Sequence, residues 1–385
     1  MKCLDRLGLE EMRDVWIAAA AMTRFGRRSE KLEDLMADAA LEALREADCQ
    51  PDALVVTAMD PEEFVGEGNF ASHIGTYLGL SHVPAIRVET ATSSGAAALY
   101  AGFAQIASGF HQRVLVVGGE KMTHVSTPRV SEIISRVIDP HERSYGATMP
   151  ALAAIVARAA LAKGIITETD MARVAVKNHA NAARNSYAHF QKPVTLEGVM
   201  SSRMIADPLR LQHCCPISDG AAAVLLTSDP TGLKLAGMGQ GSDYLAVRYR
   251  TSLTSFRATE DAAKAAYKMA GFGPERVQVA EIHDAFAPFE ILALEDTGLF
   301  PPGKAAKAVE NGELTLEGRL PVNPSGGLKA RGHALAATGL AQVVELVWQL
   351  TGRAIGRQVK ARVGLAHSIG GMATNNWVTL VEQVA

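Results

Sequence analysis

Short apolar runs alternate with amphipathic stretches through the first third of the chain. DVWIAAA, ALVVTAM, AIRVET and RVLVVGGE read as strands. Between them, KLEDLMADAALEALREA, FASHIGTYLGL and SGAAALYAGFAQIASG read as helices. Strands that alternate with helices predict parallel β-α-β units and a sheet covered on both faces. Residues 121–212 follow another pattern, rich in helix formers and turn signals with weak strand runs. They predict an inserted, mostly helical loop domain. AAAVLLTS (221–228) then returns to strand character.

The last third repeats the logic of the first. DAAKAAYKMAG and FEILALEDTGL read as helices, and VQVAEIHDAF as a strand running into a loop. SGGLKARGHALAATGLAQVVELVWQLTG is a glycine-rich loop entering a long helix, and ARVGLAHSIGG and NWVTLVEQ are closing strands. Each half holds a small-residue turn, a helix, and an apolar strand ending in Gly-Gly. The turns are TATSSG and NPSGG; the strand ends are VLVVGG and VGLAHSIGG. This is a duplication at domain scale: residues 1–120 with 213–230 form one half, 121–212 the loop domain, and 231–385 the other half.

Composition narrows the function. The 385 residues are 48% hydrophobic and 21% charged, enough for a sizeable core and unlike a disordered chain. A net charge of −3 argues against a nucleic-acid binder. The four cysteines, Cys3, Cys49, Cys214 and Cys215, have no metal-type spacing and fit a reduced, cytoplasmic setting. The opening MKCLDRLGLEEMRD is charged and has no apolar signal core, and no run of about eighteen apolar residues exists to span a membrane.

Five segments carry candidate chemistry. TATSSG (90–95) puts hydroxyls and backbone N–H groups at a helix start, where they either cap the helix or hold an oxyanion. EIHDAF (281–286) places His283 at a strand end, a group suited to proton transfer or to a buried structural bond. NPSGGLKARGHALAATG (323–339) surrounds His333 with glycine and alanine, which permits close backbone approach to a ligand. LAHSIGG (365–371) ends a strand in His367, Ser368, Gly370 and Gly371. HCCPISDGAAA (213–223) reads as a loop beneath a site. Cys214 and Cys215 read there as core, because nothing electropositive adjoins them in sequence.

The order and spacing of these segments resemble the thiolase superfamily, specifically its sterol-carrier-protein-X branch. GATMPAL (146–152), VAVKNHANA (174–182) and MIADPLRLQHCCPISDGAAAVLL (204–226) carry the same resemblance, which runs from about Asp14 to the C-terminus. It implies an α/β thiolase fold: two similar β-α-β halves in a five-layered α-β-α-β-α sandwich, with a loop domain, as a homodimer. It also implies an acyl-coenzyme A substrate and no further cofactor. The family's acyl-accepting cysteine lies in VE-x-A-C-A-S-G, and Thr92 stands at that position here. Its acid/base cysteine lies in H-D-C-F or C-x-G, where this chain has Ala285 and Ser368. The motif G-H-P-x-G-A-T-G keeps its histidine as His333 and loses its proline and one glycine.

The resemblance makes His333 the activating and oxyanion-binding histidine. It makes His283 the group that holds a water in that hole, with His367 a third retained histidine. It gives the N–H groups of Thr92 and Gly370 a second hole, with Ser93, Ser368 and Gly371 beside them. Three readings stay open. One is aldol or retro-aldol chemistry on a C–C bond beta to a CoA thioester. Thiolase-like aldolases that work with a small zinc-ribbon/OB-fold partner follow this plan, although they carry Tyr where this chain has His283. The second is an acyltransferase using Thr92 or Ser93. The third is a non-catalytic CoA-binding subunit of a complex.

Overall fold

The computed structural model describes residues 12–384; Cys3 and most of the opening segment lie outside them. Eleven strands run along the described chain. They are β1 (Trp16–Met22), β2 (Ala53–Thr57), β3 (Ala85–Arg87), β4 (Arg113–Glu120), β5 (Met204–Ala206), β6 (Leu209–Arg210) and β7 (Gly220–Thr227). β8 (Leu233–Ser242), β9 (Val279–Glu281), β10 (Val363–Gly370) and β11 (Asn375–Gln383) complete them. Apart from the β5–β6 ribbon, they lie in the order β3-β2-β4-β7-β1-β8-β11-β10-β9. β1 and β8 share one pair, Trp16 with Lys234, so the order divides into a five-stranded and a four-stranded sheet.

The two sheets have one topology. β2 is parallel to β4, β4 antiparallel to β7, and β7 antiparallel to β1. In the second sheet β9 is parallel to β10, β10 antiparallel to β11, and β11 antiparallel to β8. The duplication read from the turns is therefore a duplication of strand order.

Five helices complete the layers: α1 (Leu32–Ala47), α2 (Ser94–Ala107), α3 (Arg257–Ala270), α4 (Ala287–Asp296) and α5 (Leu335–Leu350). α1 covers the outer face of the first sheet, and α3, with α4 beside it, covers that of the second. α2 and α5 lie between the sheets, which gives the expected five-layered sandwich. Every residue of α5 is buried, as a helix packed on all sides requires. Its polar residues are matched inside: Glu345 pairs with buried Arg357 at 2.7 Å, and Gln342 donates to the His367 carbonyl at 2.8 Å.

Glycine sets how close the central helices come. A Cβ on Gly95 of α2 would strike the Ala336 carbonyl oxygen of α5, and one on Gly339 of α5 would sit 2.5 Å from the Ala96 nitrogen. The reciprocal contact lets the two helix starts meet, each just after the small-residue turn of its own half. Between β4 and β7 the chain forms helices Thr127–Ser135, Met149–Ala162 and Glu168–Ala182 and the β5–β6 ribbon, in line with a mostly helical insertion. No helix among the described residues is long and apolar enough to cross a membrane.

Candidate functional site

The turn before α2 is built by its own hydroxyls. Ala91 adopts a left-handed φ of 55°. The Ser94 hydroxyl donates to the Ala91 carbonyl at 2.5 Å and accepts the Thr90 N–H at 2.9 Å, which holds that conformation. Ser93 sits at the N-cap without capping; its hydroxyl donates back to the Thr90 carbonyl at 2.8 Å. Thr92 faces the other half. Its hydroxyl donates to the Ile369 carbonyl at 2.7 Å and accepts the Gly371 N–H at 3.1 Å. The side chain is a clasp between the halves, and its proton is committed to a carbonyl rather than to a base.

His283 and His333 meet edge to face, with ring centroids 5.2 Å apart and an interplanar angle of 85°. The Ile369 backbone N–H donates to His283 Nδ1 at 3.2 Å. A backbone N–H cannot accept, so neutral His283 carries its hydrogen on Nε2. His333 Nδ1 lies 2.7 Å from the Thr338 hydroxyl, one turn into α5. No hydrogen bond from the described residues reaches either Nε2. Burial drives the His283 pKa well below the ordinary imidazole range, helped by His333, His367 and Arg331. Burial, with Arg331 nearby, takes His333 down to about 3. Both rings are neutral at physiological pH.

Thr92, His283, His333 and Gly371 line one cavity of about 370 Å³. Four of the expected residues do not line it. His367 and Ser368 are adjacent on β10, and neighbouring strand residues point to opposite faces. His367 Nε2 meets the Thr259 hydroxyl of α3 at 3.0 Å, and Ser368 is buried without lining the cavity. Ser93 is turned back onto its own turn. Gly370 packs its Cα against Ser93 and Thr90, where a Cβ would lie 2.5 Å from the Ser93 hydroxyl. Cys214 and Cys215 pack against the main hydrophobic core, as read, and, being partly exposed, also line the cavity with Ala285, Phe286 and Phe289. The Cys215 N–H donates to the Ala285 carbonyl at 2.9 Å. Lys329 does adjoin them in space, yet burial outweighs it and pushes both thiols up to about 12. Such thiols are protonated and weakly nucleophilic.

Sequence reasoning missed the network behind the histidines. Asn178, on helix Glu168–Ala182, donates to Asp284 at 2.6 Å and to Glu290 at 2.7 Å. Asn323 donates to Glu290 at 2.7 Å and accepts the Ile282 N–H at 2.8 Å. Lys177 pairs with Glu290 at 3.1 Å. These buried groups tie the His283 loop, the NPSGG loop and the inserted segment together. The signal was present as two polar residues, Lys177 and Asn178, on a helix face that also carries Val174 and Ala175.

The buried imidazoles set an acid limit. Unfolded histidines take up a proton as pH falls through about 6.5, whereas His333 and His367, both near 3 in the fold, do not. The unfolded state then binds more protons, so stability present above pH 6.5 is lost as pH falls toward 3. Each such imidazole costs about 2 kcal/mol by pH 5. Buried Glu120, Glu281 and Asp284 act oppositely. Burial raises their pKa values, so they hold protons in the fold that the unfolded chain releases, and stability from them rises as pH falls toward the ordinary carboxylate range. His367→Gln, outside the cavity, removes one imidazole from this sum. The loss of urea midpoint between pH 7 and pH 5 is expected to shrink in that variant; an unaltered loss would contradict a neutral His367.

Comparison with known proteins places these features. The family described as Thiolase, N-terminal domain matches residues 15–230, and Thiolase C-terminal domain-like matches residues 239–383. The chain is 41% identical over 375 residues to an acetyl-CoA acetyltransferase of Methanothermobacter thermautotrophicus, covering 94% of this chain and 97% of the relative. It is 32% identical over 384 residues to human sterol carrier protein 2, covering 93% of this chain and 70% of that protein. Among solved structures, the Ltp2-ChsH2(DUF35) aldolase shares the fold with a TM-score of 0.81 at 24% identity, covering 95% of this chain and 97% of the other. With both family domains matched in order across two like halves, the chain belongs to the thiolase superfamily.

Proposed function

We propose that this acyl-CoA enzyme makes or breaks a C–C bond beta to the thioester by aldol or retro-aldol chemistry, without an acyl-enzyme. The observation that carries the reading is the contrast between a closed nucleophile position and an open imidazole pair. The Thr92 hydroxyl gives its proton to a carbonyl, Ser93 is turned away, and the cavity thiols are held protonated. Among the described residues neither His283 nor His333 has a partner at Nε2, and both line the cavity.

In the cleavage direction a 3-hydroxyacyl-CoA gives up its hydroxyl proton to His333 Nε2. The Cα–Cβ bond breaks as the β-carbon becomes a carbonyl. The bonding pair moves onto Cα as an enolate, whose oxygen accepts the His283 Nε2–H. Return of the proton to Cα releases the shortened acyl-CoA. Burial opposes an imidazolium at His333, so it is a weak base before the reaction; the enolate beside it favours the cation as charge develops.

The test offers purified protein a 3-hydroxyacyl-CoA alone, and separately a 3-ketoacyl-CoA with free CoA. Retro-aldol cleavage yields one acyl-CoA and one aldehyde or ketone and consumes no CoA. Thiolysis near the ordinary enzymatic rate of about ten per second would sink the proposal. Thr92→Cys is expected to form an acyl adduct visible by mass, without gaining full thiolysis, because Ala285 and Ser368 supply no second thiol. The reading extends to a homodimer, supported by the open edge strand β3, where Ile86 is exposed. A purely monomeric gel-filtration profile would contradict that. It extends also to a small zinc-ribbon/OB-fold partner; the structural neighbour carries a second, DUF35 component in its name.

A further inference from the structure

The two imidazoles are held by different kinds of group. His283 Nδ1 faces the Ile369 backbone N–H, a donor that cannot reverse, so its tautomer is fixed. His333 Nδ1 faces the Thr338 hydroxyl at 2.7 Å, and a hydroxyl can donate or accept by rotating one bond. Thr338 is fully buried in the first turn of α5. Ser and Thr hydroxyls in helices commonly bond back to a carbonyl of the preceding turn. Among the described residues the Thr338 hydroxyl makes no such bond, and His333 is its partner. The rotor is committed to the ring.

We propose that Thr338 is the positioning residue that sets which nitrogen of His333 carries the proton. With the hydroxyl donating, Nδ1 is the acceptor and Nε2–H faces the cavity as a second oxyanion donor beside His283. With the hydroxyl accepting, Nδ1–H points at Thr338 and Nε2 presents a lone pair to the cavity as a base; the threonine O–H then has no acceptor among the described residues, so this is the less populated form. When that lone pair takes a substrate proton, Nδ1–H stays bonded to the threonine oxygen, which supports the cation. The proton leaves again from Nε2, and the ring returns to its starting tautomer. His283 has no such freedom, so the pair divides the work: one fixed donor and one reversible group.

The division of roles rests on the aldol reading, but the tautomer assignment does not. The experiment therefore reads the tautomers directly. Protein labelled with ¹⁵N-histidine is compared at pH 7 as wild type, Thr338→Ser and Thr338→Val by long-range ¹H–¹⁵N correlation, with His283 and His333 assigned from single substitutions. Wild type is expected to show His283 as pure Nε2–H and His333 mainly as Nε2–H with a minor Nδ1–H form that shifts both of its nitrogens. Thr338→Val should collapse His333 to a single form, while Thr338→Ser keeps the mixture. On a substrate from the preceding test, kcat should fall about ten- to a hundredfold in Thr338→Val with KM nearly unchanged, and Thr338→Ser should recover most of it. A single His333 tautomer in wild type, or unchanged His333 shifts in Thr338→Val, would overturn the proposal. So would a Thr338→Ser variant as impaired as Thr338→Val, which would mark Thr338 as packing alone. If no substrate is turned over, the aldol reading fails and the nitrogen shifts still decide the role of Thr338.

Discussion

Replacing His333 by alanine is expected to lower turnover by about a hundredfold or more while leaving acyl-CoA affinity nearly intact. The ring is neutral and buried, and among the described residues nothing bonds its Nε2 and no carboxylate lines the cavity to take its place. On the proposed function, acyl-CoA affinity is expected to come mostly from the nucleotide and pantetheine, which extend away from the reacting carbon. The measurement is a binding isotherm and a rate on one preparation. Unchanged turnover would remove His333 from the chemistry. An intact, CoA-binding protein that turns over no acyl-CoA, alone or with a partner, would favour the non-catalytic subunit.

The second large effect lies at the helix crossing. Gly339→Val forces a branched side chain into the backbone of α2, where a single Cβ already sits 2.5 Å from the Ala96 nitrogen. Backbone cannot move aside as a side chain would, so a destabilisation of about 3 kcal/mol is expected. The same push separates the Thr92 turn from the His333 turn, so remaining folded protein should also lose activity. Gly68, with nothing within 4 Å of its Cβ position, serves as the control. Equal urea midpoints for Gly339→Val and Gly68→Ala would show that the helices have slack at the crossing.

The sequence disclosed most of this architecture because buried strands and packed helices leave strong periodic patterns. It hid β8. That strand carries Gly237, Gly239 and Gly241 on one face, so no apolar alternation marks it. The glycines are there for contact: a Cβ at each would strike the Ala266, Ala262 or Ala258 carbonyl oxygen of α3. Close packing erased the hydrophobic signal that close packing usually writes.

The meeting of His283 and His333 at one cavity was legible in the sequence, where chemistry and small residues coincided. The sequence failed at His367 because a strand end does not announce which face its side chains take. It did not show that Cys214 and Cys215 also reach the cavity, beside Ala285 and Phe286, some seventy residues further on. Thr338 looked like one more helix residue until its hydroxyl was seen against a ring nitrogen.

The shared middle layer has a consequence during synthesis. The first sheet is complete once Thr227 has emerged, but α5, which packs on its inner face, begins at Leu335. At translation rates of about 5–20 residues per second, that delay lasts roughly 5–20 seconds. Through it, Val114, Val116, Val224 and Leu226 lack the α5 residues they finally pack among. We expect nascent chains stalled between these points to bind chaperones of the holdase type, and chains stalled after α5 has cleared the ribosome to bind them much less. Equal capture at both lengths would mean that the first sheet covers itself without help. A chain built from two halves around one helical layer leaves the inner face of its first half uncovered by α5 until its second half is made.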